Sequence, residues 1–152
     1  MRKKSRASRE KALQILYALD VDSAMDTMEL KIFEEQALKN LMLMPEAASK
    51  QTQEQAFLLI KGVYHNVSTI DPLIEKASDN WILKRLSIID RNILRIAVYE
   101  MLFVKSVPPR VALNEAIEIA KQFSSENSPK FINGILDRIY RILKSHGLVE
   151  EI

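Results

Sequence analysis

The sequence has no cysteine and only 3 glycines among its 152 residues. Without cysteine the chain forms neither a disulfide nor a thiolate metal site, which is typical of a protein from a reducing compartment. The glycines stand far apart, at positions 62, 134 and 147, so no glycine-rich loop is available to hold the phosphates of a nucleotide. These absences argue against a secreted disulfide-rich protein and against a nucleotide-binding enzyme.

The sequence also lacks an apolar run long enough to cross a membrane. Its longest apolar stretch, Ile93–Val104, is interrupted by Arg95 and Glu100 and is shorter than the roughly 20 residues that a spanning helix needs. The basic N-terminus is not followed by the apolar segment of a secretory signal. With 47% hydrophobic and 28% charged residues, the composition is that of a globular protein. We therefore expect a soluble, cytoplasmic protein that does not associate with membranes.

The positive charge is concentrated at one end of the chain. Residues 1–11 contain six basic residues and one acidic residue, whereas the other 141 residues contain 16 basic and 19 acidic ones. The formal net charge of +2 therefore conceals a basic N-terminus on a slightly acidic remainder. Local basicity of this kind indicates a polyanionic partner for that end of the molecule.

The spacing of the apolar residues predicts helices throughout and no strand. The first helix is expected to begin near Ser5 and to end before a polar loop at Asp20–Asp26. Asp71-Pro72 is typical of a helix start, because aspartate caps well and proline suits the first helical position. The other predicted helices are Glu29–Leu43, Thr52–Val67, Ile88–Val104, Arg110–Phe123 and Pro129–Ser145. The predicted fold class is all-α, with about seven helices.

Details of the last helices indicate how they begin, end and pack. The helix at Ile88–Val104 is apolar around most of its circumference, which is typical of a buried central helix. Ser87 and Asp90 resemble a capping box that begins it. Gly147 is expected to end the last helix. Gly134 within that helix costs roughly 1 kcal/mol relative to alanine, so we expect close backbone packing there.

The sequence offers little for catalysis or metal binding. His65 and His146 are the only histidines, and they lie in different predicted helices without a second ligand at metal spacing. No serine, threonine or lysine stands in a local pattern with a general base. We therefore predict no catalytic residue, no metal site, no cofactor and no enzymatic activity.

The N-terminal helix carries a pattern typical of RNA binding. On a helical wheel, Arg2, Arg6, Arg9, Leu13 and Tyr17 fall within an arc of about 80°. Guanidinium groups beside an aromatic ring suit the phosphates and unstacked bases of single-stranded RNA. A solvated basic tail, with Tyr17 half-buried at the edge of the core, explains the same pattern without any ligand.

Six segments of the chain resemble the NusB family and follow one another in the family's order. The first two are Arg6–Tyr17, which reads RASREKALQILY, and Arg91–Glu100, which reads RNILRIAVYE. The other four are Val107–Pro109, Asn114–Ala116, Ala120–Phe123 and Ser128–Gly134. Each segment is short, but together they run from residue 6 to residue 134, which is nearly the whole chain.

The resemblance implies a fold and a function. It implies a single NusB-like domain over residues 1–152, built from two packed helical subdomains at about 1–70 and 71–152. It also implies a transcription antitermination factor that binds the single-stranded boxA element of nascent ribosomal RNA together with NusE, a small-subunit ribosomal protein. That complex joins the elongating RNA polymerase and helps it to pass terminators in ribosomal RNA operons.

The resemblance further implies which residues bind each partner. The flexible basic arm would contribute Arg2, Lys3 and Lys4. The other RNA-binding residues would be Arg6, Arg9, Gln14, Tyr17, Lys121, Asn127 and Lys130. The surface for NusE would include Arg85, Asp90 and Arg91. For Asp90, a role in capping the helix explains the residue without any partner.

The chain departs from the family's pattern at two positions. Ser124 stands where the family commonly has glycine, so the backbone of that turn is expected to differ. Asn127 stands where aspartate is common. An uncharged amide there removes repulsion of phosphate and is expected to strengthen RNA binding relative to a carboxylate.

Two other functions remain open at the level of sequence. The first is a helical adaptor that works through protein contacts or as a homodimer, with the basic end serving only as a solubilising tail. The second is an RNA-docking module, because NusB-like folds also occur fused to RNA methyltransferases. A chain of 152 residues without a glycine-rich loop is expected to show no methyl transfer of its own.

Overall fold

The computed structural model describes residues 2–21, 25, 28–43, 49–79 and 83–149, and the side chains of residues 2–5 lie outside this description. A short 3-10 helix lies at Leu83–Arg85, and no strand occurs among the described residues. The described α-helices are α1 (Arg2–Val21), α2 (Leu30–Met42), α3 (Lys50–His65), α4 (Val67–Ala77), α5 (Ile88–Phe103), α6 (Pro109–Phe123) and α7 (Ser128–Ser145). The predicted all-α class with about seven helices is confirmed.

Most helices begin and end within a few residues of the predicted positions. Helix α1 begins at Arg2 rather than near Ser5, and α3 occupies 50–65 rather than 52–67. Helices α6 and α7 each begin one residue before the prediction and carry proline in their first turn. Proline is tolerated there because the first N–H groups of a helix have no intrahelical acceptor.

The chain divides into two compact units, residues 1–65 and residues 66–152. In the first unit, α3 packs along α1 and α2. The Ser8 hydroxyl joins α1 to α3, because it lies 3.3 Å from the Thr52 carbonyl oxygen and 3.0 Å from Gln55 Oε1. The side chains that fill this core include Ala12, Leu16, Phe33, Leu41, Ile60 and Val63.

An aromatic pair joins the first turn of α2 to the end of α3. The rings of Phe33 and Tyr64 are stacked, with centroids 3.7 Å apart and planes 10° apart. Burial raises the pKa of Tyr64 above its ordinary value. The hydroxyl therefore keeps its proton, which it donates to the carbonyl oxygen of Met28 in front of α2.

The second unit is organised around α5, as the apolar circumference of that helix predicts. Helix α5 contacts α4, α6 and α7, and ten of its sixteen residues are buried. Ser87 begins it, because the Ser87 hydroxyl oxygen accepts a hydrogen bond from the Asp90 backbone N–H at 3.0 Å. The predicted capping position is therefore confirmed, although the Asp90 carboxylate bonds elsewhere.

The prediction that a helix begins at Asp71-Pro72 is wrong. Helix α4 begins at Val67, and Pro72 lies inside it. The Asp71 carboxylate does not cap a helix but pairs with Arg95 of α5, through Nε–Oδ1 and Nη2–Oδ2 distances of 2.9 Å. Arg95 is buried and also donates from Nη1 to Asn92 Oδ1 at 3.0 Å. This network fixes α4 against α5.

The two glycines of the last segment behave differently. Gly147 has a φ of +68° and ends α7 as predicted. The Leu148 N–H bonds to the Leu143 carbonyl and the Gly147 N–H to the Lys144 carbonyl, which is the Schellman pattern. The prediction of close packing at Gly134 is wrong, because Gly134 is exposed and a Cβ added there would meet no atom within 4 Å.

No helix in the described part of the chain is long and apolar enough to cross a membrane.

The division into units falls between His65 and Asn66, and α4 lies wholly within the second unit. That both units act together as a single domain stays a prediction.

Candidate nucleic-acid interface

The exposed face of α1 carries only part of the predicted RNA-binding set. Gln14 is exposed, and Tyr17 keeps 42% of its surface accessible. Leu13 is 3% exposed and belongs to the core of the first unit. The side of α1 that packs against α2 and α3 is therefore wider than the wheel indicated, and the outward face is centred on Gln14 and Tyr17.

The basic residues of α1 differ in accessibility. Arg6 is half-buried, whereas Arg9 is only 5% exposed, and both interact with other groups of the protein. The backbone of residues 2–4, predicted to form a flexible arm, belongs to α1. The side chains of Arg2, Lys3 and Lys4 lie outside the described residues.

The second unit contributes three predicted RNA-binding residues near the start of α7. Lys121, Asn127 and Lys130 are all exposed. Lys121 pairs with Glu118 one turn earlier, at an Nζ–Oε1 distance of 3.2 Å. Asn127 precedes α7 without capping it through its side chain, so its amide group remains available at the surface. The structure thus places Asn127 and Lys130 at the same end of α7.

Sequence reasoning missed an exposed aromatic residue beside Lys130. Phe131 is 40% exposed and borders a concavity of about 350 Å³ in the second unit. The concavity is also lined by Ser78, Asp79, Lys130, Gly134, Ile135 and Arg138. The available signal was the i, i+3, i+4 and i+7 spacing of Phe131, Gly134, Ile135 and Arg138 along one helix, directly after Lys130. Its weakness is that the same spacing also describes a face packed in the core.

The predicted partner-binding residues cluster at the start of α5. Arg85 is exposed at the end of the 3-10 helix, and Arg91 is half-buried and interacts within the protein. Asp90 is 8% exposed, and hydroxyl groups lie against both of its carboxylate oxygens. Its Oδ1 atom lies 2.5 Å from Ser124 Oγ and its Oδ2 atom lies 3.0 Å from Ser128 Oγ.

Among the described residues, no group of three or more histidine, cysteine, aspartate or glutamate side chains is placed to hold a metal ion. Every buried side-chain nitrogen or oxygen atom in the described part has a hydrogen-bond partner. Each unit by itself carries accessible polar or aromatic side chains at its surface. They include Gln14, Tyr17, Arg85, Asn127, Lys130 and Phe131.

Comparison with known proteins gives one consistent family. The model of the NusB family matches residues 6–141. The transcription antitermination protein NusB of Chloroherpeton thalassium is 41% identical over 147 residues, which are 96% of this chain and 65% of that protein. The chain thus spans slightly less than two thirds of that relative's length.

Solved structures give the same match. The structure of NusB from Thermotoga maritima superposes with a TM-score of 0.76 and 39% identity over 90% of each chain. A structure of the antitermination factors NusB and NusE in complex with double-stranded RNA contains a chain that superposes with a TM-score of 0.74 and 27% identity. The superposition covers 93% of this chain and 99% of that one.

Proposed function

The chain belongs to the NusB family, and on that basis we propose that it is an RNA-binding transcription antitermination factor. It binds the boxA element of nascent ribosomal RNA together with NusE, and the complex joins RNA polymerase in the cytoplasm. Support comes from relatives that are named as antitermination proteins and from a structural relative solved with NusE and RNA. The role is that of an adaptor and not of an enzyme.

The observation that carries this proposal is the exposed pair Gln14 and Tyr17 on α1. Tyr17 offers a ring face to a base, because 42% of its surface is accessible although its neighbours Leu13 and Leu16 are buried. Aromatic side chains on which bases stack are a general device for binding single-stranded RNA. Arg6 supplies positive charge about two turns before Gln14 and about three turns before Tyr17, together with Arg2, Lys3 and Lys4 of the same helix.

The remaining predicted residues take graded roles in the proposal. Lys130 and Asn127 contact RNA directly, because both are exposed at the start of α7. Lys121 contacts phosphate only after its ion pair with Glu118 breaks. Breaking this pair costs little free energy because both side chains are exposed. Arg9 contributes its charge rather than a direct contact, because its side chain is buried.

The proposed surface for NusE lies at the start of α5. Arg85 is its accessible residue, and Arg91 stands one turn beyond the cap at Ser87. The Asp90 carboxylate lies beneath this surface and is already bonded by two serines. We therefore assign direct contact with NusE to the two arginines.

Replacement of Tyr17 tests the RNA-binding function. Tyr17→Ala is expected to weaken binding of a boxA oligonucleotide by about 1–3 kcal/mol, the range for loss of one base–aromatic stack. Tyr17→Phe keeps the ring and is expected to retain most of the affinity. The measurement is fluorescence anisotropy of labelled RNA, with circular dichroism to show that each variant is folded.

Phe103→Ala is the matched control for that experiment. Phe103 is an equally exposed aromatic residue, with 46% of its surface accessible, and it lies at the end of α5, outside the proposed RNA-binding set. Its replacement is expected to leave RNA affinity unchanged. Equal affinities for the unaltered protein and Tyr17→Ala would contradict the proposed function.

A second candidate function is self-association through the first unit. Helix α2 exposes three large apolar side chains, since Ile32, Leu38 and Met42 are 45%, 47% and 72% accessible. Exposed apolar groups on one helix favour contact with another protein surface. Sedimentation of the free protein over a concentration series tests this candidate, which predicts a dimer that Leu38→Glu dissociates.

A further inference from the structure

Three serines and one carboxylate form a polar cluster in the second unit. Ser124 Oγ lies 2.5 Å from Asp90 Oδ1, and Ser128 Oγ lies 3.0 Å from Asp90 Oδ2. Ser125 Oγ lies 2.8 Å from Ser128 Oγ. Each hydroxyl has one hydrogen to donate. Ser124 and Ser128 therefore donate to the two carboxylate oxygens. Ser125 donates to Ser128 Oγ, which also lies 2.8 Å from Ser124 Oγ.

The carboxylate joins two helix starts that are far apart in sequence. Asp90 is the third residue of α5, and its backbone N–H bonds to the capping hydroxyl of Ser87. Its side chain reaches across to Ser128, the first residue of α7. The partial positive charge at a helix N-terminus favours an anion in this position. Asp90 thereby ties α5 to the turn at residues 124–127.

The Ser124 side chain supplies a hydrogen bond that glycine at this position would lack. The φ of −118° and ψ of −173° of Ser124 are extended backbone that any residue adopts, so this turn does not require glycine at position 124. The Ser124 backbone N–H ends α6 by bonding to the Ala120 carbonyl at 2.9 Å. The side chain is therefore available to hold Oδ1 of Asp90, a bond that glycine would not supply.

We propose that Asp90 is a positioning residue for RNA binding and links the partner surface to the RNA surface. It holds the turn at residues 124–127 through Ser124 and Ser128, and that turn sets the positions of Asn127 and Lys130. Its own backbone belongs to the first turn of α5, where Arg91 belongs to the surface proposed for NusE. The effects expected on RNA binding and on its change with NusE rest on the proposed function, whereas the effect expected on amide exchange in the turn does not.

The first test measures hydrogen exchange of the Ser128 and Phe131 amides in the free protein, because their N–H groups bond to the Ser125 and Asn127 carbonyl oxygens of the turn. Ser124→Ala removes one donor to the carboxylate, and Asp90→Asn removes its charge while keeping its size. Both variants are expected to speed exchange of these amides by about tenfold, the effect of losing one hydrogen bond to a charged acceptor. Ser125→Ala is the matched control, because Ser125 is in the same turn but bonds only to Ser128, and its effect is expected to be small.

The second test measures the linkage between the two partners. The ratio of the RNA dissociation constants without and with NusE is determined for the unaltered protein and for each variant. Ser124→Ala is expected to reduce this ratio severalfold, because the turn no longer responds to occupancy at α5. Ser125→Ala is expected to leave it unchanged.

Each outcome decides the inference. Unchanged exchange in Ser124→Ala and Asp90→Asn would overturn the positioning role, as would an equal effect of Ser125→Ala. Equal loss of RNA affinity with and without NusE would overturn the linkage. If the unaltered protein bound no RNA, the proposed function would be contradicted, and the exchange rates would still decide whether Asp90 holds the turn.

Discussion

Single residues of this protein show how one sequence signal can serve two physical purposes. Asp71 precedes a proline and so resembles a helix cap, yet its carboxylate forms a bidentate pair with Arg95 of α5. Arg9 lies on the basic arc of α1, yet its side chain is buried. In both cases a tertiary contact, which local sequence does not record, decides where the charged group points. The same contact determines how much the residue contributes to stability.

Removal of the Asp71 carboxylate tests that contribution. Asp71→Ala removes the carboxylate that pairs with the buried Arg95 and is expected to lower the free energy of unfolding by about 3 kcal/mol. Asp137→Ala breaks an exposed pair with Arg141 on α7, at 3.1 Å, and is expected to cost less than about 0.5 kcal/mol. Urea unfolding of both variants measures the difference. Equal costs would contradict the role of the buried pair.

At the scale of helices, the periodicity of apolar residues predicts more than the cap signals do. The apolar spacing located six of the described helices, and the apolar circumference of α5 identified the centre of the second unit. Apolar spacing is the stronger signal because several apolar residues recur on the one face of each helix that packs in the core. The start of α4 was missed because Pro72 is tolerated inside the helix, although proline has no N–H to donate to the Ser68 carbonyl one turn earlier.

The candidate site was less predictable than the fold. A helical wheel places residues on an arc, but it does not show how wide a neighbouring helix makes the buried face. Leu13 therefore joined the core, while Gln14 and Tyr17 remained accessible. The bond between Asp90 and Ser124 joins residues 34 positions apart, and nothing in the local sequence signals it.

Gly134 within α7 and Gly147 just after its end allow opposite effects of replacing glycine to be tested. Gly134 is helical, exposed and free of neighbours around a new Cβ, so Gly134→Ala is expected to stabilise the protein by about 1 kcal/mol. Gly147 has a positive φ, so Gly147→Ala is expected to destabilise it by about 1 kcal/mol. Thermal unfolding of both variants measures the two effects. Destabilisation by Gly134→Ala would show that the glycine serves packing after all.

At the scale of the whole molecule, the accessible groups of the proposed site are divided between the two units, whereas the excess of positive charge lies in the first. The N-terminal segment carries the local excess of positive charge, and the same unit supplies Tyr17. The second unit supplies Lys130 and Asn127, together with the arginines proposed for NusE. The residues proposed to contact RNA therefore occur in each unit, and those proposed to contact NusE occur in the second.

The most direct test of this account is an RNA-binding experiment with four arms. Labelled boxA RNA and a scrambled RNA of the same composition are each titrated with the protein, in the presence and absence of purified NusE. The account predicts that NusE tightens binding of boxA and leaves binding of the scrambled RNA unchanged. Equal affinity in all four arms would contradict it, because the basic N-terminus would then act only as a general tether for polyanions.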